Sequence, residues 1–207
     1  MNRYGTLLLT AGPSGTGKTT VRNALVQRQP DLHFSVSCTT RTPREGEQDG
    51  GDYTFVDTAT FLKRAENGGF LEFAEVHGNY YGTLRSEVES HVRKGQSVLL
   101  DIDVQGMRQI VRNIRDTWLN PMLTTVFIAP PSLQEMEARL RRRGTENEEI
   151  IRTRLSNAIH ELQAWREFQY LVINTTVDQA VDELCAIIVA CNARTPLMRD
   201  MHPWQTS

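Results

Sequence analysis

The segment from Leu7 to Thr20 constrains the fold of this chain more than any other. It reads LLLTAGPSGTGKTT, which is an apolar run of strand length, a turn with three glycines and then helix-compatible residues. A buried strand that turns sharply into a helix directs backbone N–H groups at an anion bound at the helix N-terminus. We therefore predict a phosphate-binding loop at residues 12–19. The alternative is a glycine-rich turn that binds nothing, and the lysine-threonine ending after a strand argues against it.

The loop spacing predicts how a nucleoside triphosphate is held. Lys18 is expected to reach the β- and γ-phosphates, and the hydroxyl of Thr19 is expected to ligate Mg²⁺. The other residues expected to contact the triphosphate are Gly12, Pro13, Ser14, Gly15, Thr16, Gly17 and Thr20.

Length and charge limit the remaining possibilities. A chain of 207 residues suits one domain with insertions. Its 25 acidic and 23 basic residues nearly cancel, so we expect neither a nucleic-acid nor a membrane partner. No apolar stretch approaches membrane-spanning length, and a cytoplasmic protein is expected. Three cysteines without metal-ligand spacing are expected to be reduced thiols: Cys38, Cys185 and Cys191.

Strand-like and helix-like runs alternate along the chain, and this alternation predicts an α/β fold with a parallel sheet and helices on both faces. The predicted strands are 6–11, 98–102, 124–129 and 171–174, and the predicted helices include 18–29 and 132–142. The active site should lie at the C-terminal ends of these strands. A last helix is expected to begin at Thr176, which precedes Gln179 by the spacing of a capping box. Residues 195–207 show no periodicity and are expected to form a loosely attached tail.

Two stretches depart from this alternation. The first, from about Ser37 to Lys94, begins with a loop that carries Arg41 and Arg44, and residues 53–56 then alternate as in a short antiparallel strand. A helix is expected from about Thr58 to the glycines at 68 and 69, followed by a strand and turn with Glu72, Tyr80, Tyr81 and Thr83. The second stretch, RLRRRGTENEEIIRTRL, is rich in arginine. Arg139 and Arg143 share a face if the helix continues through them, although such a cluster is usually solvated.

These motifs together resemble the guanylate kinase family. The resemblance covers about residues 5–190 and is carried by five separated segments. They are GPSGTGKTT, SVSCTTRTPREGEQDGGDYTFV, FLEFAEVHGNYYGT, LLDIDVQG and IAPPSLQEMEARLRRRGTENEEIIRTRL. The second segment is the most specific, because phosphate-binding loops occur in many unrelated nucleotide hydrolases.

The resemblance implies transfer of the γ-phosphoryl group of ATP to GMP, with Mg²⁺. The accepting phosphate oxygen is already ionised, so no serine nucleophile or histidine base is needed. Catalysis then depends on positioning and charge neutralisation. The residues to which the resemblance gives catalytic roles are Lys18, Arg41, Arg139, Arg143 and Arg154.

The resemblance also implies two groups of GMP-binding residues. The phosphate would be held by Arg41, Arg44, Tyr53 and Tyr81, which carry suitable donors for a dianion. Guanine would be read by Ser37, Glu72, Thr83 and Asp103. A carboxylate can accept from guanine N1–H and the 2-amine, whereas adenine presents a lone pair at N1. Such a site can reject the wrong base by about 10⁴ to 10⁵.

Two further positions match the family. Asp101, at the end of an apolar strand, would hold Mg²⁺ through water, although a carboxylate there could instead cap the next turn. Asn174 would lie near ATP. The remaining arginines of the second stretch, Arg141, Arg142 and Arg152, have no match and are expected to face solvent.

The resemblance implies a single domain with a core and two inserts. The core would comprise about 1–36, 95–129 and 166–194. A GMP-binding insert would occupy about 37–94 and a lid about 130–165, and the tail would follow at 195–207. Oligomeric state cannot be predicted from these features.

Two other functions are compatible with parts of the sequence. Domains of this kind also serve as peptide-binding scaffolds, but those typically have a degraded phosphate loop, whereas Lys18 and Thr19 are intact here. A kinase of similar fold could act on a sugar phosphate. The retention of Glu72 with Ser37 and Thr83 argues against that acceptor, because a sugar phosphate has no guanine edge.

Overall fold

The computed structural model of the protein describes residues 3–142 and 148–199. Its central element is a parallel five-stranded sheet of order β2-β7-β1-β8-β9. The strands are β1 (Leu7–Ala11), β2 (His33–Phe34), β7 (Val98–Asp101), β8 (Leu123–Ala129) and β9 (Tyr170–Ile173). The predicted strands of this layer and the helix predicted at 18–29 match the observed ones to within one residue at each end. β2 is too short to be predicted, and no helix was predicted at 104–114.

Helices cover both faces of this sheet because successive strand residues point to opposite sides. They are α1 (Lys18–Arg28), α4 (Val104–Ile114) and α7 (Val177–Asn192). On one face, Leu8 packs with residues of α1 and α7. On the other, Leu7 and Leu9 pack with residues of α4. The α/β fold with helices on both faces is therefore confirmed. The predicted N-cap is also present, since the hydroxyl of Thr176 accepts from the backbone N–H of Gln179 at 3.3 Å.

A second sheet of four strands lies between β2 and β7 in the chain, with the order β4-β3-β6-β5. Its elements are β3 (Cys38–Thr39), β4 (Thr54–Phe55), α2 (Thr58–Glu66), β5 (Phe70–Val76) and β6 (Asn79–Leu84), followed by α3 (Arg85–Arg93). The prediction of an antiparallel strand at 53–56 was wrong in direction, because β4 pairs with β3 in parallel. Residues 40–53 carry the chain back to the start of β3, so that β4 runs in the same direction as β3. Side-chain alternation in the sequence does not specify this direction.

Two helices, α5 (Leu133–Arg142) and α6 (Glu148–Leu162), connect β8 to β9. None of the helices in the described ranges is both long and apolar enough to span a lipid bilayer. The three cysteines, all within those ranges, are unpaired.

The prediction of a loosely attached tail was wrong for residues 195–199. Leu197 is fully buried in the core, and its carbonyl accepts from the backbone N–H of Tyr4 at 2.8 Å. Met198 forms an antiparallel bridge with Arg3, and the guanidinium of Arg199 lies 3.8 Å from the ring centroid of Tyr4. A single buried leucine gives no periodicity, so the sequence carried no signal of this anchoring. Residues 200–207 lie outside the described part of the chain.

Candidate active site

Three glycines shape the turn between β1 and α1. Gly12, Gly15 and Gly17 have φ angles of 152°, 87° and 86°, which side-chain-bearing residues rarely adopt. A Cβ atom on Gly12 would lie 2.1 Å from the carbonyl oxygen of Ile128, and one on Gly17 would lie 2.7 Å from Nδ2 of Asn174. The loop can therefore pass this close to its neighbours only with glycine at these positions.

The loop is closed by its own side chains. The hydroxyl of Thr16 donates to the carbonyl of Pro13 at 3.0 Å. The ammonium of Lys18 donates to the carbonyl of Gly12 and, at 3.2 Å, to that of Pro13. Lys18 thus lies folded over the loop, at the N-terminus of α1, where partial positive charge from the helix adds to its own.

Asn174 and Arg139 both reach the phosphate-binding loop from other elements. The amide of Asn174, just after β9, donates to the carbonyl of Thr16 at 2.6 Å. Arg139 on α5 donates to the same carbonyl at 3.2 Å and to the carbonyl of Asn174 at 3.1 Å, while Glu135 accepts from its Nε at 2.8 Å. The structure therefore brings together the loop, the end of the last strand and an arginine of the second irregular stretch.

A cavity of about 450 Å³ opens beside these three elements. Its lining includes Gly17, Thr20, Arg139, Asn174, Thr176 and Val177. Oδ1 of Asn174 is buried next to this cavity and has no hydrogen-bond partner among the residues that the structure describes. A buried acceptor of this kind is suited to a donor from water or from a ligand, such as an exocyclic amine.

Asp101 ends β7 beside Thr10 of β1, with 11% of its side chain exposed. Burial raises the pKa of its carboxyl above the ordinary value, and the positive charges of Lys18 and Arg22 act in the opposite direction. The hydroxyl of Thr19 is exposed in the first turn of α1.

These two oxygen donors suit a hard cation such as Mg²⁺, which takes few ligands from protein and the rest from phosphates and water. Among the described residues, no three His, Cys, Asp or Glu side chains gather to form a protein-only metal cage. The two donors therefore fit a metal that arrives with a nucleotide.

Arg41 is held by a carboxylate in the loop before β4. Its NH2 donates to Oε1 of Glu47 at 2.7 Å, and the other oxygen of Glu47 accepts from the backbone N–H of Arg44 at 2.7 Å. The pKa of Glu47 is lowered from its ordinary value, first by the hydrogen bond from Arg41 and then by that from Arg44. The guanidinium of Arg41 also lies 5.3 Å from the ring centroid of Tyr53, whose ring is 6.0 Å from that of Tyr81. Three of the four predicted phosphate-binding side chains thus converge, whereas Arg44 is exposed.

The register of the second sheet brings the predicted guanine-reading residues side by side. Thr83 on β6 pairs with Glu72 on β5, and its hydroxyl donates to Oε1 of that glutamate at 2.7 Å. On the other side of β6, Cys38 pairs with Gly82, so continuing this register by one residue places Ser37 beside Thr83. Tyr81 is two residues from Thr83 and shares its face. The sequence motif therefore folds into one polar face with hydroxyl and carboxylate groups in a row.

Asp103, at the start of α4, lies close to Glu72 of this polar face. It is the N-cap of α4, where its Oδ1 accepts from the backbone N–H of Gly106 at 2.7 Å. A Cβ atom on Gly106 would lie 3.2 Å from Oε2 of Glu72 and 3.4 Å from Oδ1 of Asp103, so both carboxylates reach the first turn of α4. Burial raises the pKa of Glu72, the hydrogen bond from Thr83 lowers it, and the negative charge of Asp103 raises it further.

Three residues at the site were missed by the sequence analysis. Glu47 lies within the most specific motif, but in a loop with several charged residues nothing local marks this carboxylate as the partner of Arg41. Glu161 on α6 lies within electrostatic range of Lys18 and Asp103, and burial raises the pKa of its carboxyl. Arg22 forms an ion pair with Asp101 at 3.6 Å. Glu161 and Arg22 are polar residues of helices, and polar helix residues usually face solvent. Only the fold brings these two side chains to the ends of the strands.

The structure describes two of the three catalytic arginines predicted in the second stretch. Arg139 is at the phosphate-binding loop, and Arg154 is half-buried on α6. Arg143 lies outside the described residues. Arg141 and Arg142, expected to face solvent, are exposed and pair with Glu137, Glu148 and Glu135.

The chain is similar to known proteins over nearly its whole length. The family model described as guanylate kinase matches residues 4–191. A guanylate kinase from Aromatoleum aromaticum is 43% identical over 96% of this chain and 94% of that relative, and one from Thermotoga maritima is 43% identical over 95% and 92%. The crystal structure of guanylate kinase from Anaplasma phagocytophilum superposes with a TM-score of 0.75 at 32% identity, covering 98% of this chain and 94% of that one. On this evidence the chain belongs to the guanylate kinase family, whose enzymes transfer a phosphoryl group from ATP to GMP.

Proposed function

We propose that the chain performs this transfer by holding ATP on the loop between β1 and α1 and GMP on the polar face of the second sheet. The observation that carries the proposal is the row formed by Tyr81, Thr83 and Glu72, in which phosphate-binding and base-reading groups share one face of two paired strands. A mononucleotide has its phosphate at one end and its base at the other, as this row requires.

On the donor side, the backbone N–H groups of residues 12–19 and the ammonium of Lys18 would bind the β- and γ-phosphates. Lys18 would exchange its two loop carbonyls for phosphate oxygens. Arg139 lies between the loop and the cavity of about 450 Å³, so it is suited to contact both the phosphates and the adenine. The unpartnered Oδ1 of Asn174 would accept from the adenine amine.

Thr19 and Asp101 would hold Mg²⁺, the former through its hydroxyl and the latter through water. When bound, the metal would neutralise the charge that develops on the phosphate oxygens during transfer.

On the acceptor side, Arg41, Arg44, Tyr53 and Tyr81 would hold the GMP phosphate. Glu47 keeps the guanidinium of Arg41 beside the ring of Tyr53 before substrate arrives, which reduces the entropy lost on binding. Glu72 would accept from guanine N1–H and the 2-amine, and the hydroxyl of Ser37 would donate to O6. Thr83 would hold Glu72 in place through its hydrogen bond to Oε1.

The reaction is then an in-line displacement at the γ-phosphorus. A phosphate oxygen of GMP forms the new O–P bond while the bond from the γ-phosphorus to the β,γ-bridging oxygen breaks, and ADP leaves. Arg41, Lys18, Arg139, Arg143 and Arg154 would stabilise the charge that passes between the nucleotides. Closure of the inserts at about 37–94 and 130–165 would exclude water, which would otherwise accept the phosphoryl group.

The test is ADP formation in the presence of ATP and Mg²⁺, with GMP, dGMP, AMP, UMP and ribose 5-phosphate offered separately. We expect turnover with GMP, and with dGMP, that exceeds turnover with AMP by about 10⁴ in kcat/KM. Turnover with ribose 5-phosphate at the level of GMP would contradict the base-reading assignment. Nucleotide binding without turnover would favour a scaffold.

A further inference from the structure

Arg22 lies on α1, one helical turn after Lys18, and its guanidinium points to the end of β7. Its NH1 is 3.6 Å from Oδ2 of Asp101, and the two side chains are 25% and 11% exposed. The pair is therefore much less solvated than a typical surface ion pair. In both residues the charged group lies at the edge of the sheet where the nucleotides are proposed to bind.

The guanidinium of Arg22 is also fixed by two neighbours other than Asp101. Its central carbon lies 4.6 Å from the ring centroid of Phe34, at the end of β2. Its Nε and NH2 donate to Oδ1 of Asn23 at 3.1 and 2.9 Å. A guanidinium stacked on a ring and held by an amide has one favoured orientation, unlike a freely rotating surface arginine.

We infer that Arg22 is a positioning residue for the kinase reaction: it fixes the orientation of the Asp101 carboxylate and does not itself contact substrate. The inference rests on the proposed role of Asp101. Lys18 is the other cation that acts on Asp101, but in the proposed mechanism Lys18 is engaged by the ATP phosphates. Arg22 then remains as the partner that holds the orientation of the Asp101 carboxylate when ATP is bound.

The test is a double-mutant cycle built from Arg22→Met and Asp101→Asn. Methionine keeps much of the apolar stem and removes the charge and the hydrogen bonds. We expect Arg22→Met to lower kcat about tenfold in the wild-type background and no more than about twofold in the Asp101→Asn background, because the two residues act as one unit. The KM for GMP should change less than about twofold in both backgrounds, since Arg22 is not placed at the GMP site.

Arg22→Lys should recover most of the lost kcat, since it restores a cation near Asp101. Arg28→Met is the matched control, because Arg28 is on the same helix but pairs with exposed Asp178 and Asp182. We expect its kcat to equal that of the unmodified enzyme. Thermal unfolding of each variant establishes that it is folded.

A second measurement avoids turnover altogether. Binding of a non-hydrolysable ATP analogue is measured by calorimetry with and without Mg²⁺. Arg22→Met should reduce the Mg²⁺-dependent gain in affinity by about fivefold and leave binding without metal unchanged.

Several results would overturn the inference. Equal tenfold losses in both backgrounds would show that Arg22 acts independently of Asp101, and unchanged kcat in Arg22→Met would show that it does not act at all. An Asp101→Asn variant as active as the unmodified enzyme would remove the proposed role of Asp101 and this inference with it. The proposed function fails separately, if the unmodified enzyme forms no ADP with GMP.

Discussion

The hydroxyl of Thr83 donates a 2.7 Å hydrogen bond to Oε1 of Glu72 from the adjacent strand, and both residues are buried. The bond fixes one carboxylate oxygen, while the other lies near the first turn of α4 beside Asp103. A carboxylate fixed in this way can accept two parallel hydrogen bonds from one edge of a base without first losing rotamer freedom. This geometry explains why position 72 carries the base specificity in the proposed mechanism.

Replacing Glu72 by glutamine should reduce kcat/KM for GMP by about 10³ or more, because the new amide donates where guanine also donates. Affinity for ATP should stay unchanged, since the loop between β1 and α1 is untouched. Steady-state kinetics with each nucleotide varied in turn checks both statements. Glu75→Gln, on an exposed position of the same strand, is the control and should behave like the unmodified enzyme. Equal GMP kinetics for the two variants would contradict the assignment.

The pH dependence of GMP use should reflect Glu72. Burial raises the pKa of its carboxyl, and only the ionised form can accept both hydrogen bonds from guanine. As the pH falls through this raised pKa, the carboxyl takes up a proton and kcat/KM for GMP falls. Thr83→Val removes a hydrogen bond that lowers the pKa, so its acid limb should lie at higher pH.

The comparison between these two enzymes carries the prediction, because the GMP phosphate titrates near pH 6 and affects both equally. Profiles of kcat/KM from about pH 5 to 8 provide the measurement. Coincident acid limbs would mean that another group controls this part of the profile.

Glu47→Gln should raise the KM for GMP about fivefold to tenfold and change kcat less, since the glutamate orders Arg41 and Arg44 before GMP binds. Glu45→Gln, two residues away and exposed, is the matched control. Initial rates at varied GMP provide the measurement. An unchanged KM would show that the substrate alone orders this loop.

The sequence predicted most of the layer that binds ATP, although not β2 or α4, because the signals of the other elements are local. The run Leu7–Ala11 is apolar except for Thr10 and buried throughout, and the glycine spacing after it requires a particular turn. The GMP-binding residues could be found only through the resemblance, since Glu72 or Tyr81 alone is an ordinary strand residue.

What could not be predicted depends on contacts between distant segments. Arg22 and Asp101 are 3.6 Å apart only because β7 lies beside β1, and nothing local to either residue reports that neighbour. The direction of β4 also depends on contacts between distant segments. Alternating side chains predict a strand and its two faces, but they do not predict which strand it pairs with. Leu197 is a third case, in which one buried side chain anchors a segment that lacks any repeat.

Leu197→Ala should lower the free energy of unfolding by about 2–4 kcal/mol, the range for truncating a buried leucine. The residue is fully buried among core side chains although it follows the last long helix. Denaturant unfolding checks the loss, and Leu62→Ala, which is 38% exposed, should cost under about 1 kcal/mol. Equal stabilities would show that the C-terminal segment contributes nothing to the core.

Gly17→Ala should abolish ATP-dependent turnover while the protein remains folded. Alanine at φ 86° is strained, and its Cβ would lie 2.7 Å from Nδ2 of Asn174, so either the loop or the asparagine must shift. A shift of the loop misdirects the N–H groups that bind phosphate, and a shift of Asn174 breaks its 2.6 Å bond to Thr16. We expect the affinity for ATP to fall at least about tenfold.

Gly51→Ala is the control, because that glycine is not at positive φ and its added Cβ would meet no atom closer than 3.6 Å. Calorimetric titration of both variants with ATP measures the difference, and equal affinities would mean that the loop tolerates a side chain at position 17.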